Sequence, residues 1–326
     1  MEININQHSE FIFGAVSDGN PDHALTRMGL NSFWGNSNST GVRVRLSTNS
    51  RAVSVKLDIQ YEEVEPFFGS MMINGATYIV KNRQQTVKME CISGRNKEVQ
   101  SLYTQKGNDF LDYEIHCPAK NCLKHLYVYI DDDAEIQASE KLRAPICFLG
   151  GPTTFGRGCT FSHGMYSSIV ARKFSCDYYN FSMYNNKYLE EKFVLAAVKA
   201  VPKPCFVVAE ICSIPVAKDY ITEKLEKYLE KLTECFNACP VLLLSQPFNG
   251  RKLDNYTECR RIVKDFANRH SGRNIMYLDG ETVFKGISLD MATLSAYLIN
   301  DYGNMVLADR IVKIAEAYAI SNLKTF

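Results

Sequence analysis

The sequence predicts two domains of different class. An all-β jelly-roll or sandwich domain covers residues 1–143, and an α/β domain with a parallel sheet flanked by helices covers 144–326. Three observations carry this. The first 143 residues hold short alternating runs separated by turn clusters, the pattern of antiparallel strands with one covered face. After Pro145, continuous apolar strand runs alternate with helical stretches, which is how parallel strands covered on both faces read. At the seam lies Ala144–Gly158, A-P-I-C-F-L-G-G-P-T-T-F-G-R-G, an apolar strand that breaks into a turn with glycines at 150, 151, 156 and 158.

In the first domain the runs are G-V-R-V-R-L (41–46), A-V-S-V-K-L-D-I (52–59), A-T-Y-I-V (76–80) and L-Y-V-Y-I (126–130). Alternation in the first run sets Val42, Val44 and Leu46 on one face and Arg43 and Arg45 on the other, so a wet face is expected for the arginines. Arg95–Asp109 is expected as an extended hairpin or loop. Trp34, Phe67 and Phe68 read as core or inter-domain packing before a sugar-stacking platform or a lid over the pocket, and Glu62, Glu63 and Glu65 as a solvated edge before a site.

In the second domain the strands fall at Ile146–Leu149, Asp177–Phe181, Cys205–Ile211, Val241–Ser245 and Asn274–Leu278. Helices are expected near 164–174, 187–200, 217–237, 257–270 and 303–319. The 217–237 stretch is the best defined. Ile221, Leu225, Tyr228, Leu232 and Phe236 line one side, with a Glu223–Lys227 pair outside. Pro202 and Pro204 stop the preceding helix just before its strand.

Composition narrows the function classes. With 326 residues, 46% apolar and a net charge of +1, the chain can build two cores, and no basic stripe with interleaved aromatics argues for nucleic acid. No apolar run approaches the ~20 residues that span a bilayer. The start M-E-I-N-I-N-Q-H-S-E lacks the regions of a signal peptide, so neither a membrane nor export is expected and a cytoplasmic location is. The eleven cysteines lie mostly in apolar runs, such as Cys147, Cys176 and Cys205, and read as buried free thiols. There is no C-x-x-C, and none of the six histidines (8, 23, 116, 125, 163, 270) pairs with a cysteine at ligand spacing; no disulfide, metal or cofactor is expected.

Several stretches together resemble the two-domain bacterial SGNH (GDSL-like) hydrolases, related to carbohydrate acetyl esterases. Phe148-Leu149-Gly150-Gly151-Pro152-Thr153-Thr154-Phe155-Gly156 is similar to that family's F-Y-G-S-S-I-T-Q-G, and Ser162-His163-Gly164-Met165 to its R-P-G-M. Asn180-Phe181-Ser182-Met183-Tyr184-Asn185-Asn186 resembles N-L-G-F-S-G-N, and Thr40–Ser50 and A-E-I-Q-A-S (134–139) resemble the family's first domain. The resemblance implies a flavodoxin-like second domain running ester hydrolysis. A serine attacks, a histidine removes its proton, an aspartate orients that histidine, and backbone amides with an asparagine hold the oxyanion.

Carried over position by position, those groups are missing. The nucleophile falls on Pro152, the second-block glycine on Ser182, and the oxyanion asparagine on Ser213. In Ser295–Gly303 the aspartate has become Ser295 and the histidine Leu298, and no histidine occurs after His270. Loss of the nucleophile or the histidine alone costs on the order of a millionfold in turnover. The resemblance therefore implies a hydrolase fold without its ordinary catalyst.

Residues expected around the pocket are Gly151, Thr153, Thr154, Cys159, Ser162, His163, Tyr184, Asn185, Asn186, Cys212, Ser213 and Asp290. The first reading is a non-catalytic binding or scaffold protein for a sugar or acylated small molecule, or for a protein partner, with a homo-oligomer left open. The alternative is an enzyme of relocated chemistry using His163 with Cys159 or Asp290. Against it, His163 reads more simply as a solvated loop residue at a helix N-terminus and Cys159 as a packed small hydrophobe. Phosphate binding is set aside, because G-G-P-T-T-F-G-R-G lacks both the G-K-[ST] ending and the G-x-G-x-x-G spacing.

Overall fold

A computed structural model describes residues 1–16, 19–26, 38–60, 68–94, 97–140, 142–183, 189–201, 203–212, 217–247, 254–295 and 298–323. The chain divides into two compact units. One comprises Met1–Lys141 with Thr160–His163, the other Leu142–Cys159 with Gly164–Phe326. Trp34, Phe67, Glu62, Glu63 and Glu65 lie outside the described residues, while Phe68 is buried.

The first unit holds β1 (Glu2–Asn4), β2 (Ile12–Phe13), β3 (Arg43–Thr48), β4 (Ala52–Gln60), β5 (Gly75–Asn82), β6 (Gln85–Ser93), β7 (Gln100–Thr104), β8 (Leu111–His116), β9 (Cys122–Tyr129) and β10 (Ile136–Ala138). They form two antiparallel sheets, in the orders β1-β9-β4-β7 and β10-β3-β8-β5-β6, with β2 beside β3. β4 shows why: Val53, Val55, Leu57 and Ile59 are buried, and the residues between them are not. These four join Val44, Leu46, Tyr78, Val80, Leu126 and Val128 in one hydrophobic cluster drawn from both sheets. Within the charged stretch expected as a hairpin or loop, β7 pairs with β4.

β3 departs from expectation. All six of its residues are buried, and Arg43 and Arg45 are only 2% and 8% exposed. The reason is a cross-strand set of charges that replaces water. Arg43 stands opposite His116 and Arg45 opposite Glu114 of β8. His116 Nε2 lies 3.1 Å and Lys81 Nζ 3.7 Å from the two Glu114 oxygens. Arg45 donates to the Glu140 carbonyl at 3.0 Å, with its guanidinium 5.0 Å over the Phe13 ring. Burial pushes the Glu114 carboxyl up, but His116, Arg43 and Lys81 together outweigh it and hold it well below the usual carboxylate range.

The second unit holds β11 (Arg143–Gly150), β12 (Cys176–Ser182), β13 (Phe206–Ile211), β14 (Val241–Ser245) and β15 (Ile275–Leu278). All pair in parallel in the order β12-β11-β13-β14-β15, a doubly wound arrangement that reverses at β11. The helices Tyr166–Lys173, Glu191–Ala200, Leu225–Cys235, Asp254–Arg269 and Asp301–Leu323 flank this sheet, and a small antiparallel pair joins β16 (Thr293–Ser295) to β17 (Leu298–Ile299). The single helix expected over 217–237 is two, Lys218–Glu223 and Leu225–Cys235, because Lys224 takes φ −119°. The apolar side is kept, with Ile221, Leu225, Tyr228, Leu232 and Phe236 all buried. Lys224 N still bonds the Tyr220 carbonyl, and Tyr228 N that of Lys224. Among the described residues no helix is long and apolar enough to cross a membrane.

The cluster on β3 and β8 sets a pH dependence. Glu114 has a folded pKa below its unfolded value, so its contribution is present above the unfolded carboxylate pKa of about 4.3 and is lost as pH falls below it. Glu114→Gln is expected to cost about 3 kcal/mol at pH 7 and to flatten the acid limb of melting temperature against pH. Thermal melts from pH 3 to 8 check this; parallel limbs for the two proteins would refute it.

Candidate functional site

β11 is the strand at which the sheet order reverses, and in doubly wound sheets the crevice beyond such a strand's C-terminal end is where ligands bind. There the chain leaves Gly150 and winds into a compact turn. Phe155 N donates to the Gly151 carbonyl at 3.0 Å, Gly156 N to Thr153 at 3.1 Å and Arg157 N to Pro152 at 3.0 Å. Pro152 thus occupies the opening turn of a helix-like segment, where an amide has no acceptor within the segment and proline is tolerated. Residues 151–156 are buried throughout.

The organising side chain is Glu210 of β13. Its Oε2 accepts from Gly151 N at 3.1 Å, Thr154 N at 2.9 Å and the Thr154 hydroxyl at 2.6 Å. The approach is close enough that a Cβ on Gly150 would lie 2.3 Å from Thr154 Oγ1 and 2.7 Å from Glu210 Cβ, so only glycine fits there. Glu210 is 1% exposed. Burial pushes its carboxyl up, against the downward pull of the Thr153 and Thr154 hydroxyls and the Thr154 and Gly151 amides.

Further buried groups extend the network. Since the Thr154 hydroxyl donates to Glu210, the Tyr166 hydroxyl at 2.7 Å donates to Thr154. Burial and Glu210 together hold that phenol well above its usual pKa. Asn180 Nδ2 donates to the Thr154 carbonyl at 2.8 Å and lies 3.2 Å from Ser167 Oγ, while the Ser182 hydroxyl donates to Asn180 Oδ1 at 2.5 Å. Ser182, expected at the position of the second-block glycine, therefore turns its hydroxyl into the interior.

Chemically, two backbone amides converge on one oxygen, as an oxyanion hole requires. The oxygen they hold belongs to the protein's own carboxylate. Pro152 beside them has neither a hydroxyl nor a backbone N–H. Leu298, the residue expected at the histidine position, is buried. It reaches the same turn, since a Cβ built on Gly158 would meet the Ile299 carbonyl at 2.3 Å and Leu298 Cβ at 3.6 Å. Gly158 has φ +101°, so both space and backbone conformation call for glycine.

The other expected pocket residues have their own surroundings. Gly151, Thr153 and Thr154 gather on Glu210. Cys159 is buried, and burial with Asp301 nearby pushes its thiol far up, away from the thiolate a nucleophile needs. Cys212 is buried with φ +58°, its thiol raised by a hydrogen bond with Cys259 and by burial. Asp290 is exposed and accepts from the Ser288 hydroxyl, which lowers its carboxyl. Ser162 and His163 group with the first unit. There Ser162 Oγ lies 3.6 Å from Met72 Sδ. His163 is half-buried instead of solvated, stacked on Phe161 at 5.5 Å and edge-on to His116 at 6.1 Å. Tyr184, Asn185, Asn186 and Ser213 lie outside the described residues, as does the side chain of Ser295.

Glu210, Tyr166 and Ser167 were not among the expected site residues. The available signal was Glu210 itself, an acid inside the apolar run C-F-V-V-A-E-I-C, where a charge is rare unless it has a task.

No known family profile matches the chain. No curated protein matches it either. Solved structures do. A GDSL-like lipase from Bacteroides ovatus superposes with a TM-score of 0.82 at 13% identity, over 98% of this chain and 97% of that one. Salicylyl-acyltransferase SsfX3, from a tetracycline biosynthetic pathway, gives 0.74 at 15% identity, over 100% and 99%. A family two carbohydrate esterase from Clostridium thermocellum, solved with cellohexaose, gives 0.60 at 11% identity, over 85% and 92%. At these identities the likeness establishes the fold, which is SGNH/GDSL-like.

Glu210 separates two kinds of substitution. Its folded pKa lies above the unfolded value, so its contribution is full below the unfolded pKa and is lost as pH rises through the folded one. Glu210→Gln keeps an acceptor for the two amides and is expected to be more stable than wild type at pH 8 to 9. Glu210→Ala strands those donors and is expected to lose about 2–4 kcal/mol at every pH. Thermal melts of the three proteins from pH 4 to 9 decide it. Equal losses for both variants would overturn this account of Glu210.

Proposed function

We propose that this chain is a non-catalytic binding or scaffold protein for a sugar or acylated small molecule, cytoplasmic, built as a β-sandwich domain followed by the SGNH/GDSL-like domain. The observation that carries the reading is Pro152 at the nucleophile position, in a turn whose two converging amides are taken by buried Glu210. An ester carbonyl needs an attacking atom, a base to take its proton and donors for the oxyanion. Pro152 removes the first and Leu298 the second. Withdrawing the Gly151 and Thr154 amides from Glu210 would leave a buried carboxylate short of donors, so the third is not available either.

The ligand class rests on what the structural neighbours handle: cellohexaose in the esterase and a salicylyl group in the acyltransferase. The cysteine pattern supports a reducing compartment. No observation favours relocated chemistry. Cys159 is a buried thiol pushed up in pKa, and Asp290 is an exposed carboxylate bonded to Ser288.

Wild type, Pro152→Ser and His163→Ala are expected to hydrolyse neither aryl acetates nor acetylated sugars above the blank. Pro152→Ser fails because a serine without a base stays a weak nucleophile. In the same panel, cello-oligosaccharides or their acetates at ~100 times Kd are expected to stabilise wild type by about 2.7 kcal/mol, seen as a higher melting temperature. Wild-type hydrolysis that disappears in His163→Ala would overturn the reading.

A further inference from the structure

β6 ends the six-stranded sheet, pairing with β5 on one side and with no other described strand. A nine-residue edge carrying apolar side chains invites another strand. Val87 and Met89 are 41% and 50% exposed, and Phe110, beside Val87 in a surface hollow, is 38% exposed. Register fixes the faces. Lys88 and Glu90 stand opposite Val80 and Tyr78, both core residues, while Met89 and Cys91 stand opposite Ile79 and Thr77 on the other face. At the rim, Lys88 Nζ lies 3.2 Å from Glu90 Oε2, which also accepts from the Tyr78 hydroxyl at 3.0 Å.

We propose that two copies of this chain join edge to edge through antiparallel β6 strands, with the two-fold axis at Met89. A two-fold axis normal to a sheet keeps each copy's faces aligned and sets one residue against its own counterpart. With Met89 at the axis, Lys88 of each copy faces Glu90 of the other, giving four alternating charges on one face. On the opposite face the two Met89 side chains meet, flanked by Val87 and Cys91. Neighbouring registers fail on charge. An axis at Lys88 sets lysine against lysine, and one at Glu90 sets glutamate against glutamate. The β5–β6 ladder slips between Val80 and Lys81 and leaves Val87 as an extra residue, which limits the new ladder to Val87–Cys91 of each copy.

Sedimentation velocity on the full chain from about 1 to 200 µM tests this, a range suited to a short interface. Wild type is expected to shift from monomer to dimer within it. Lys88→Glu places like charges across the axis and is expected to weaken dimerisation at least about tenfold, and Lys88→Glu/Glu90→Lys to restore it. Met89→Cys, at the axis, is expected to give a disulfide-linked dimer on mild oxidation, whereas wild type and Val99→Cys, exposed but off the strand, do not. Circular dichroism melts confirm that each variant folds, and the Met89→Cys cross-link reads out independently of the charge variants. A wild type monomeric throughout, a dimer that Lys88→Glu leaves unmoved, or no Met89→Cys cross-link would each overturn the proposal.

Discussion

The second unit depends on one buried carboxylate. Where β11 ends, the Gly151 and Thr154 amides leave the sheet without strand partners and need an acceptor in a water-poor interior. Glu210 supplies it from the neighbouring strand β13, and much else follows. Gly150 must lack a side chain so that the carboxylate can come close. The Thr154 hydroxyl gives the same oxygen a third hydrogen bond, and the Tyr166 hydroxyl donates to Thr154 in turn. Asn180 then pins the Thr154 carbonyl from the other flank of β11. The turn is held from both sides by groups that belong to the fold.

The two units bury acids in opposite ways. Glu114 sits among cations, and their attraction exceeds the cost of burial, so its ionised form is favoured. Glu210 has only neutral donors, and burial wins. The first arrangement makes one side of a sheet polar without making it wet. The second builds the geometry of an anion site and fills it from within. Strong donors converging on one point are thus insufficient evidence for a ligand, because the ligand can be a side chain.

Much of this was legible in the chain. The alternation of β4 follows from Val53, Val55, Leu57 and Ile59, and all five parallel strands appear as apolar runs, since burial on both faces leaves a local trace. The failures share a cause. Arg43 and Arg45 look wet by alternation because the groups that neutralise them lie far along the chain, His116 and Glu114 on β8. Glu210 meets Gly151 across 59 residues, a partnership periodicity cannot see. The strand and glycine-rich turn at 144–158 were readable from their residues; the carboxylate that the turn's amides hold was not. The helix break at Lys224 left no mark either, because the apolar spacing runs through it unbroken.

Pro152 has a consequence for the unfolded chain as well as for the turn. An amide at that position would be one more donor in a turn where Glu210 Oε2 already accepts three hydrogen bonds. A ring that fixes φ also narrows the conformations open to the unfolded chain, an effect on the order of 0.4–1 kcal/mol where the native geometry accepts it. The proline thus serves the free energy of the native state through the entropy of the denatured one.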